Sequence, residues 1–399
     1  MPNYLSPGVY IEETDTGARP IEAVGTSVAG FVGTAPDVAA GLNDAVAINN
    51  FSEFVRIFAK GGTQAGAPPL AAGNHLANAV YGFFLNGGPR CYVVNSPADQ
   101  PIGTPGKDVD LLGSIDEIAL IAAPGRTDAA SYEALIASAE RLGDRVAILD
   151  GPARAEDVEQ MTRAVVVGDE GGKGRKSGLR PRDSQRGFGA VYFPWIKGQD
   201  ALAGAELVAI PPSGHIAGVC ARMDLQRGVH KAPANTAIYG ALGLTQTIGR
   251  AEQNVLNPAG VNVIRSFARE GVLVWGARTI APSASNWRYL NVRRLASMIE
   301  ESIERSMRWV VFEPNDRTLW KSIRRDIGAF LTTLWRQGAL MGATPEQAFF
   351  VKCDEETNPP EEIDAGRVTT LVGIAPVKPA EFVIFRIGQT AAGATVEQV

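Results

Sequence analysis

Strand-like and helix-like apolar patterns alternate along the first half of this 399-residue chain. The run from Ser27 to Thr34, SVAGFVGT, has the length and composition of a buried strand. Helical patterns follow at Ser52–Ala59, with Ser52 placed as the cap, and at His75–Leu85. Cys91–Asn95 and Glu117–Ala122 predict strands, Ser131–Leu142 a helix, Arg145–Leu149 a strand and Ala155–Val166 a helix. Apolar segments recur at Ala190–Ile196 and Leu207–Ile210. Strands alternating with helices imply a largely parallel sheet with helices packed on it.

The carboxyl-terminal third is patterned differently. In Asn291–Val310, Leu295, Ile299, Ile303 and Val310 fall near one helical face, and Glu301–Arg305 and Glu304–Arg308 are spaced as ion pairs on the other. Arg317–Gln337 carries the stripe Leu319, Ile323, Ile327, Phe330, Leu331 and Leu334, with Gly338 where a C-cap belongs. Thr344-Pro345-Glu346-Gln347 has the form of a capping box with proline at the first helical position. Strands are expected at Phe349–Cys353, Arg367–Ile374 and Glu381–Ile387. This part reads as α+β.

Both ends stand apart from these patterns. Val9-Tyr10-Ile11-Glu12-Glu13 is strand-like after a Ser-Pro-Gly breaker, then Thr, Asp, Gly and Pro follow. One short strand cannot be stable alone, so it is expected to join a sheet in this subunit or in another. The tail after Gly388 is small and polar, and Gly168–Gly189 reads as an exposed loop rich in Gly, Lys and Arg.

Composition narrows the function classes. A charge of −5 does not suit a dedicated nucleic-acid binder, and 45% hydrophobic residues permit a large core. Three scattered cysteines (Cys91, Cys220, Cys353) fit a reducing compartment. With no secretory leader pattern and no apolar run near the roughly 20 residues that span a bilayer, a soluble protein made in the cytoplasm is expected.

Chemical motifs are thin. Lys176-Ser177 resembles the end of a phosphate loop, but Glu170 and Arg175 hold its two glycine positions. No Gly-x-Gly-x-x-Gly follows a predicted strand, so a dinucleotide site lacks its fingerprint. His215 and His230 have no carboxylate or cysteine at ligand spacing, and His75 suits packing or capping. Ser213, in Pro-Pro-Ser-Gly-His, lacks the glycine of a nucleophile elbow and reads as an N-cap. Glu361-Glu362-Ile363-Asp364 follows two prolines and reads as a solvated loop. Lys173, Arg175, Lys176, Arg180, Arg182 and Arg186 lack interleaved aromatics and read the same way. Lys321, Arg324, Arg325 and Arg336 form a basic helix face, equally suited to solvent or to an acidic partner.

What remains is backbone geometry. PPSGHIAGVCARMDLQRGVHKAPAN at 211–235 and LNPAGVNVIRSFAREGVLVWGARTI at 256–280 are rich in Gly, Pro and Asn, which shape the chain rather than carry chemistry. Together with SPGVYIEE at 6–13 and RYLNVRRLASMIEESIERSMRWVVFEPNDRTLWKSIRRDI at 288–327, and with AFFVKCDEETN and GIAPVKPAEFVIFRI, they carry a resemblance. The chain resembles the contractile tail sheath proteins of myophage tails, R-type pyocin particles and extracellular contractile injection systems. His230 departs from the aromatic, such as Trp, usual in that family.

The resemblance implies an α/β outer domain plus an α+β inner C-terminal domain, with extended N- and C-terminal arms that exchange strands between subunits. The corresponding bounds are an arm at 1–22, an outer domain at 23–280, an inner domain at 281–388 and a tail at 389–399. Val9, Tyr10, Ile11 and Glu12, and Phe382, Val383, Ile384 and Phe385, are the expected exchanged strands. Lys321, Arg324 and Arg325 are the expected contact with an inner tube. The implied partners are further copies of the chain in hexameric rings, the inner tube, and baseplate and terminator or cap proteins. No cofactor, metal, nucleic acid or membrane insertion is expected. Assembly is expected in the bacterial cytoplasm, within a phage tail or phage tail-like particle. An α/β enzyme and a nucleic-acid-binding module using the Gly168–Gly189 loop are the alternatives.

Overall fold

The computed structural model describes residues 20–42, 44–60, 72–97, 102–165, 178–204 and 206–384. The amino-terminal part folds as β1 (Val28–Gly33), β2 (Ala45–Ile48), α1 (Phe51–Phe58), α2 (His75–Leu85) and β3 (Cys91–Asn95). It continues through α3 (Val109–Leu112), β4 (Ile118–Ala122), α4 (Ala129–Leu142) and β5 (Val146–Asp150). Then come β6 (Gly189–Phe193), β7 (Ile196–Gln199), β8 (Leu207–Ile210), α5 (Ser213–Arg227), β9 (Thr236–Ala237) and β10 (Gly243–Leu244). After α6 (Arg250–Leu256) the hairpin β11 (Val261–Phe267) and β12 (Gly271–Val274) leads into α7 (Leu290–Ser306) and α8 (Arg317–Arg336). Two short helices, α9 (Pro345–Ala348) and α10 (Pro360–Asp364), flank the strands β13 (Phe349–Lys352) and β14 (Leu371–Ile374).

One nine-stranded sheet organises the first 280 residues, in the order β2-β3-β1-β4-β5-β6-β11-β12-β9. The contiguous pairs from β3 to β11 are parallel, and β2, β12 and β9 add antiparallel at the two edges. Strands of the parallel centre read as continuous apolar runs because both faces are covered; β5 and β6 are buried at every residue. Side-chain alternation divides the faces. Phe31 packs with α1, α2 and α5, whereas Val32 packs with α3, α4 and α6. The prolonged contact of α2 with α5 depends on Gly214 and Gly218, where a Cβ would lie 2.3 Å and 2.5 Å from the α2 backbone at Ala79 and Phe83.

Several expectations shift by local chemistry. Asn50, not Ser52, caps α1, because its extended backbone lets its side chain accept from Glu53 N–H. The helix expected over Ala155–Val166 shrinks to a 3₁₀ turn at Val158–Thr162, since Val165 N–H turns away to donate to Arg180. The hairpin β11–β12 was not foreseen from its sequence. Asn262 interrupts its apolar run, yet it is fully buried, bridging Val191 and Arg278 through its amide.

A separate core unites α7, α8 and the sheet β13–β14, with Leu295, Ile299, Trp320, Ile327, Phe330 and Leu331 at its centre. Asp316 caps α8 through two N–H groups, and Gly338, at φ 78°, ends it. Glu301 and Arg305 form the expected ion pair at 2.5 Å. The two cores are fastened by the pair Arg294–Asp224, both almost fully buried, with contacts of 2.9 and 2.5 Å between α7 and α5.

Candidate assembly surfaces

The small sheet β13–β14 is a sheet reduced to two antiparallel strands, paired Phe349↔Ile374 to Lys352↔Leu371. Phe349, Val351 and Ile374 pack on the core of α7 and α8, whereas Phe350, Leu371 and Val372 stand exposed. Phe350 lies across Gly373, where a Cβ would come within 2.1 Å of the ring. Beyond Ile374 the chain turns to pair with Ala339–Met341 instead. Each of the two strands therefore has an edge with no strand partner among the described residues, a template for another chain.

The last described residues are held by Arg278 and Tyr289. Glu381 accepts from Arg278 at 2.8 and 2.5 Å and from Tyr289 at 3.3 Å. The carboxylate holds Arg278 charged, raising its pKa above the usual guanidinium value. Immediately after, Phe382, Val383 and Ile384 are 72%, 70% and 79% exposed and pair with no strand among the described residues. Phe385 and the amino-terminal Val9, Tyr10, Ile11 and Glu12 lie outside the described residues. Ile21 enters the core of α7 and α8. Val24 N–H donates to Ser302, Thr26 donates to Asp224, and Arg294 donates to the Thr26 carbonyl.

On α8 the apolar stripe is buried and Lys321, Arg324 and Arg325 are exposed on the other side. Arg325 is bound at 2.8 Å by the buried Asp326, which raises its pKa. Among the described residues Lys321 and Arg324 make no ion pair, so of the three they carry the freer charge. Arg336 is exposed farther along the helix.

The groups singled out for chemistry sit elsewhere and serve packing. Ser213 does not cap α5: it is the first residue of the helix, and its N–H and hydroxyl both donate to Asp150 at 2.7 Å. Asp150, at the end of β5, also accepts from Gly125 N–H, yet burial pushes its pKa up to about 6. His215 is buried against Gly82, its Nδ1 unpartnered, and burial lowers its pKa to about 4. His75 meets Trp195 edge-on, and His230 packs on Gly228. Asp150 and Arg278 were not singled out from the sequence, because an isolated charge carries no signal without its partner. Of the basic loop, Lys173, Arg175 and Lys176 lie outside the described residues. Arg180 pairs with Asp183, Arg182 with Glu133 and Glu140, and Arg186 covers Phe188. Among the described residues no group of three or more His, Cys, Asp or Glu is placed to hold a metal, and no helix is long and apolar enough to cross a membrane.

Comparison with known proteins agrees with a chain whose prominent features are exposed edges. The family model for the phage tail sheath protein central domain matches residues 112–280, and that for the phage tail sheath C-terminal domain matches 283–390. The tail sheath protein of Escherichia phage P2 is 24% identical over 399 residues, covering 95% of this chain and 94% of its own. That of Vibrio phage KVP40 is 28% identical over 193 residues; these make 48% of this chain but only 28% of that longer protein. The sheath of the extracellular contractile injection system PVC, solved in its contracted state, superposes with a TM-score of 0.75 at 30% identity, covering 98% of this chain and 99% of that one. By these family matches and this full-length likeness, the chain belongs to the contractile tail sheath family.

Proposed function

We propose that this chain is the structural, non-catalytic subunit of a contractile sheath, stacking as rings around an inner tube and driving that tube through a target envelope. The observation that carries the reading is the pairing of opposites near the carboxyl terminus. Among the described residues a two-stranded sheet has unpaired edges, and the same chain carries an exposed apolar segment, Phe382–Ile384, that joins no sheet. Strand addition satisfies both, with Phe382–Phe385 of one subunit and Val9–Glu12 of another completing the sheet of a third. A head-to-tail contact of this kind repeats without closing and builds a helical array.

Main-chain pairing tolerates rotation of the domains it links. Each hydrogen bond adds about 0.5–1.5 kcal/mol, so an exchanged strand holds through its buried apolar side chains as well. Contraction then keeps the strands paired while the outer domains gain contact with one another. The energy of the stroke is interface not yet made in the extended lattice, and no nucleotide is consumed. Lys321 and Arg324, with Arg325 restrained by Asp326, face the inner tube and release it on firing. Baseplate and terminator proteins close the two ends of the stack, and assembly takes place in the bacterial cytoplasm. The domain bounds 1–22, 23–280, 281–388 and 389–399 belong to the same reading.

Electron microscopy of the purified chain tests it. Hollow tubes with a regular helical repeat are expected; a monodisperse small particle, both alone and with a tube protein present, defeats it.

A further inference from the structure

The turn between α7 and α8 presents an aromatic ring to solvent at a conformational cost. Phe312 is fully exposed, at 101% of its reference area, and its φ is +71°, a left-handed conformation that bulky residues rarely adopt. Val311 beside it is 64% exposed. The turn is braced rather than loose. Glu313 N–H donates to Val310, Asn315 joins the Trp320 indole to the Arg367 carbonyl, and Asp316 caps α8. A rigid turn that holds a strained, exposed phenylalanine is built to put that ring into something.

The same subunit carries a matching recess. Between the end of α5 and the α7–α8 pair lies an open cleft of about 550 Å³, its apolar wall formed by Val24, Val229, Leu295, Met298 and Leu334. Leu225, 86% exposed, and Arg227 stand among its lining residues. Charge is complementary as well. Glu313 follows the projecting ring, and Arg227 lines the cleft; both are exposed, and no ion pair is recorded for either among the described residues. From Leu295 to the helix end at Ser306 the rise is roughly 16 Å, so the turn cannot fold back into its own subunit's cleft.

We infer that the Phe312–Glu313 turn of one subunit docks in the α5–α7–α8 cleft of a second copy, the ring on the apolar wall and Glu313 paired with Arg227. Knob and hole lie on different parts of one chain, so the contact is heterologous and propagates, as a helical array requires. It rests on the sheath reading but is separate from strand exchange. It ties helical bodies rather than arms.

Cysteine cross-linking tests the contact. Cys91, Cys220 and Cys353 are all buried, so background is low. A Val311→Cys/Leu225→Cys chain, with Phe312 kept, is expected to give a ladder of disulfide-linked oligomers when assembled tubes are oxidised, and neither single variant a ladder. Adding Glu313→Arg is expected to remove the ladder, and adding Arg227→Glu to that chain to restore it. Tubes that oxidise without a ladder overturn this contact and leave the sheath reading standing. Failure of the unmodified chain to form tubes, alone or with a tube protein, removes the sheath reading itself.

Discussion

Arg278 and Glu381, 103 residues apart in sequence, meet in a two-pronged ion pair at 2.8 and 2.5 Å. Arg278 is almost fully buried and Glu381 mostly so. Glu381 is therefore fixed by Arg278, with Tyr289 adding a weaker contact. Glu381→Ala leaves a buried guanidinium with its charge unpaired, a loss of about 3 kcal/mol in unfolding free energy. Denaturant titration measures it. Limited proteolysis after residue 381 is expected to speed up in parallel; an unchanged midpoint and cleavage rate refute the anchoring role.

Phe382 and Ile384 contribute nothing to the isolated subunit's core. Phe382→Lys with Ile384→Lys is expected to leave subunit stability within about 0.5 kcal/mol. It is expected to abolish polymerisation, because exchanged strands cannot bury two ammonium groups. Deleting residues 1–15 removes the other segment proposed for exchange, and the same outcome is expected, a folded chain that does not assemble. Sedimentation separates the cases, and polymers of normal length from either variant count against strand exchange.

Reversing Lys321, Arg324 and Arg325 to Glu leaves the buried stripe of α8 intact. The triple variant is expected to assemble as free sheath but to lose attachment to the tube, read by co-sedimentation. Arg325→Glu alone is expected to act least on the tube, since Arg325 already spends its charge on Asp326. Attachment that survives the triple reversal sinks the assignment.

Two groups buried beside the nine-stranded sheet, Asp150 and His215, pull stability in opposite directions with pH. Asp150 rises from 3.8 to about 6, so its contribution is fully present below about pH 4 and is lost as pH rises through about 6. His215 falls from 6.5 to about 4, so its contribution is present above about pH 6.5 and is lost as pH falls through about 4. Each is worth on the order of 3 kcal/mol, and between pH 4 and 6.5 they nearly cancel. His215→Gln is expected to make the protein melt higher at pH 5 than at pH 7. Asp150→Asn is expected to sharpen the loss on acidification. Parallel pH–melting curves for wild type and both variants contradict this pairing.

The parts of this fold that were legible are those where local pattern and tertiary role agree. His75–Leu85 is helical to the residue, because Asn74 caps it and its apolar face meets the sheet. Asn262 shows the opposite case: a polar residue in mid-strand erased the pattern of β11, although its amide satisfies three backbone groups across 71 and 16 residues of chain. Ser213 looked like a cap, and only the fold brings Asp150 from 63 residues away to claim its N–H and hydroxyl. The basic stripe of α8 was visible as a period, but the bond that ties down Arg325 came only with side-chain geometry. Phe312 gave no signal, since its exposure and its positive φ belong to a turn whose shape no apolar count encodes.

The fastening of Val24 to Ser302 and of Thr26 to Arg294 spans 278 and 268 residues. That span sets an order in time. Residues 21–26 gain these contacts only once α5 and then α7 have formed, Thr26 reaching Asp224 and Val24 reaching Ser302. A truncated or stalled product ending before α7 therefore lacks the Ser302 and Arg294 ends of that fastening and keeps only the Thr26–Asp224 bond. If the segment before residue 20 is exchanged between subunits as proposed, growth of the polymer then favours subunits in which α7 has already been made.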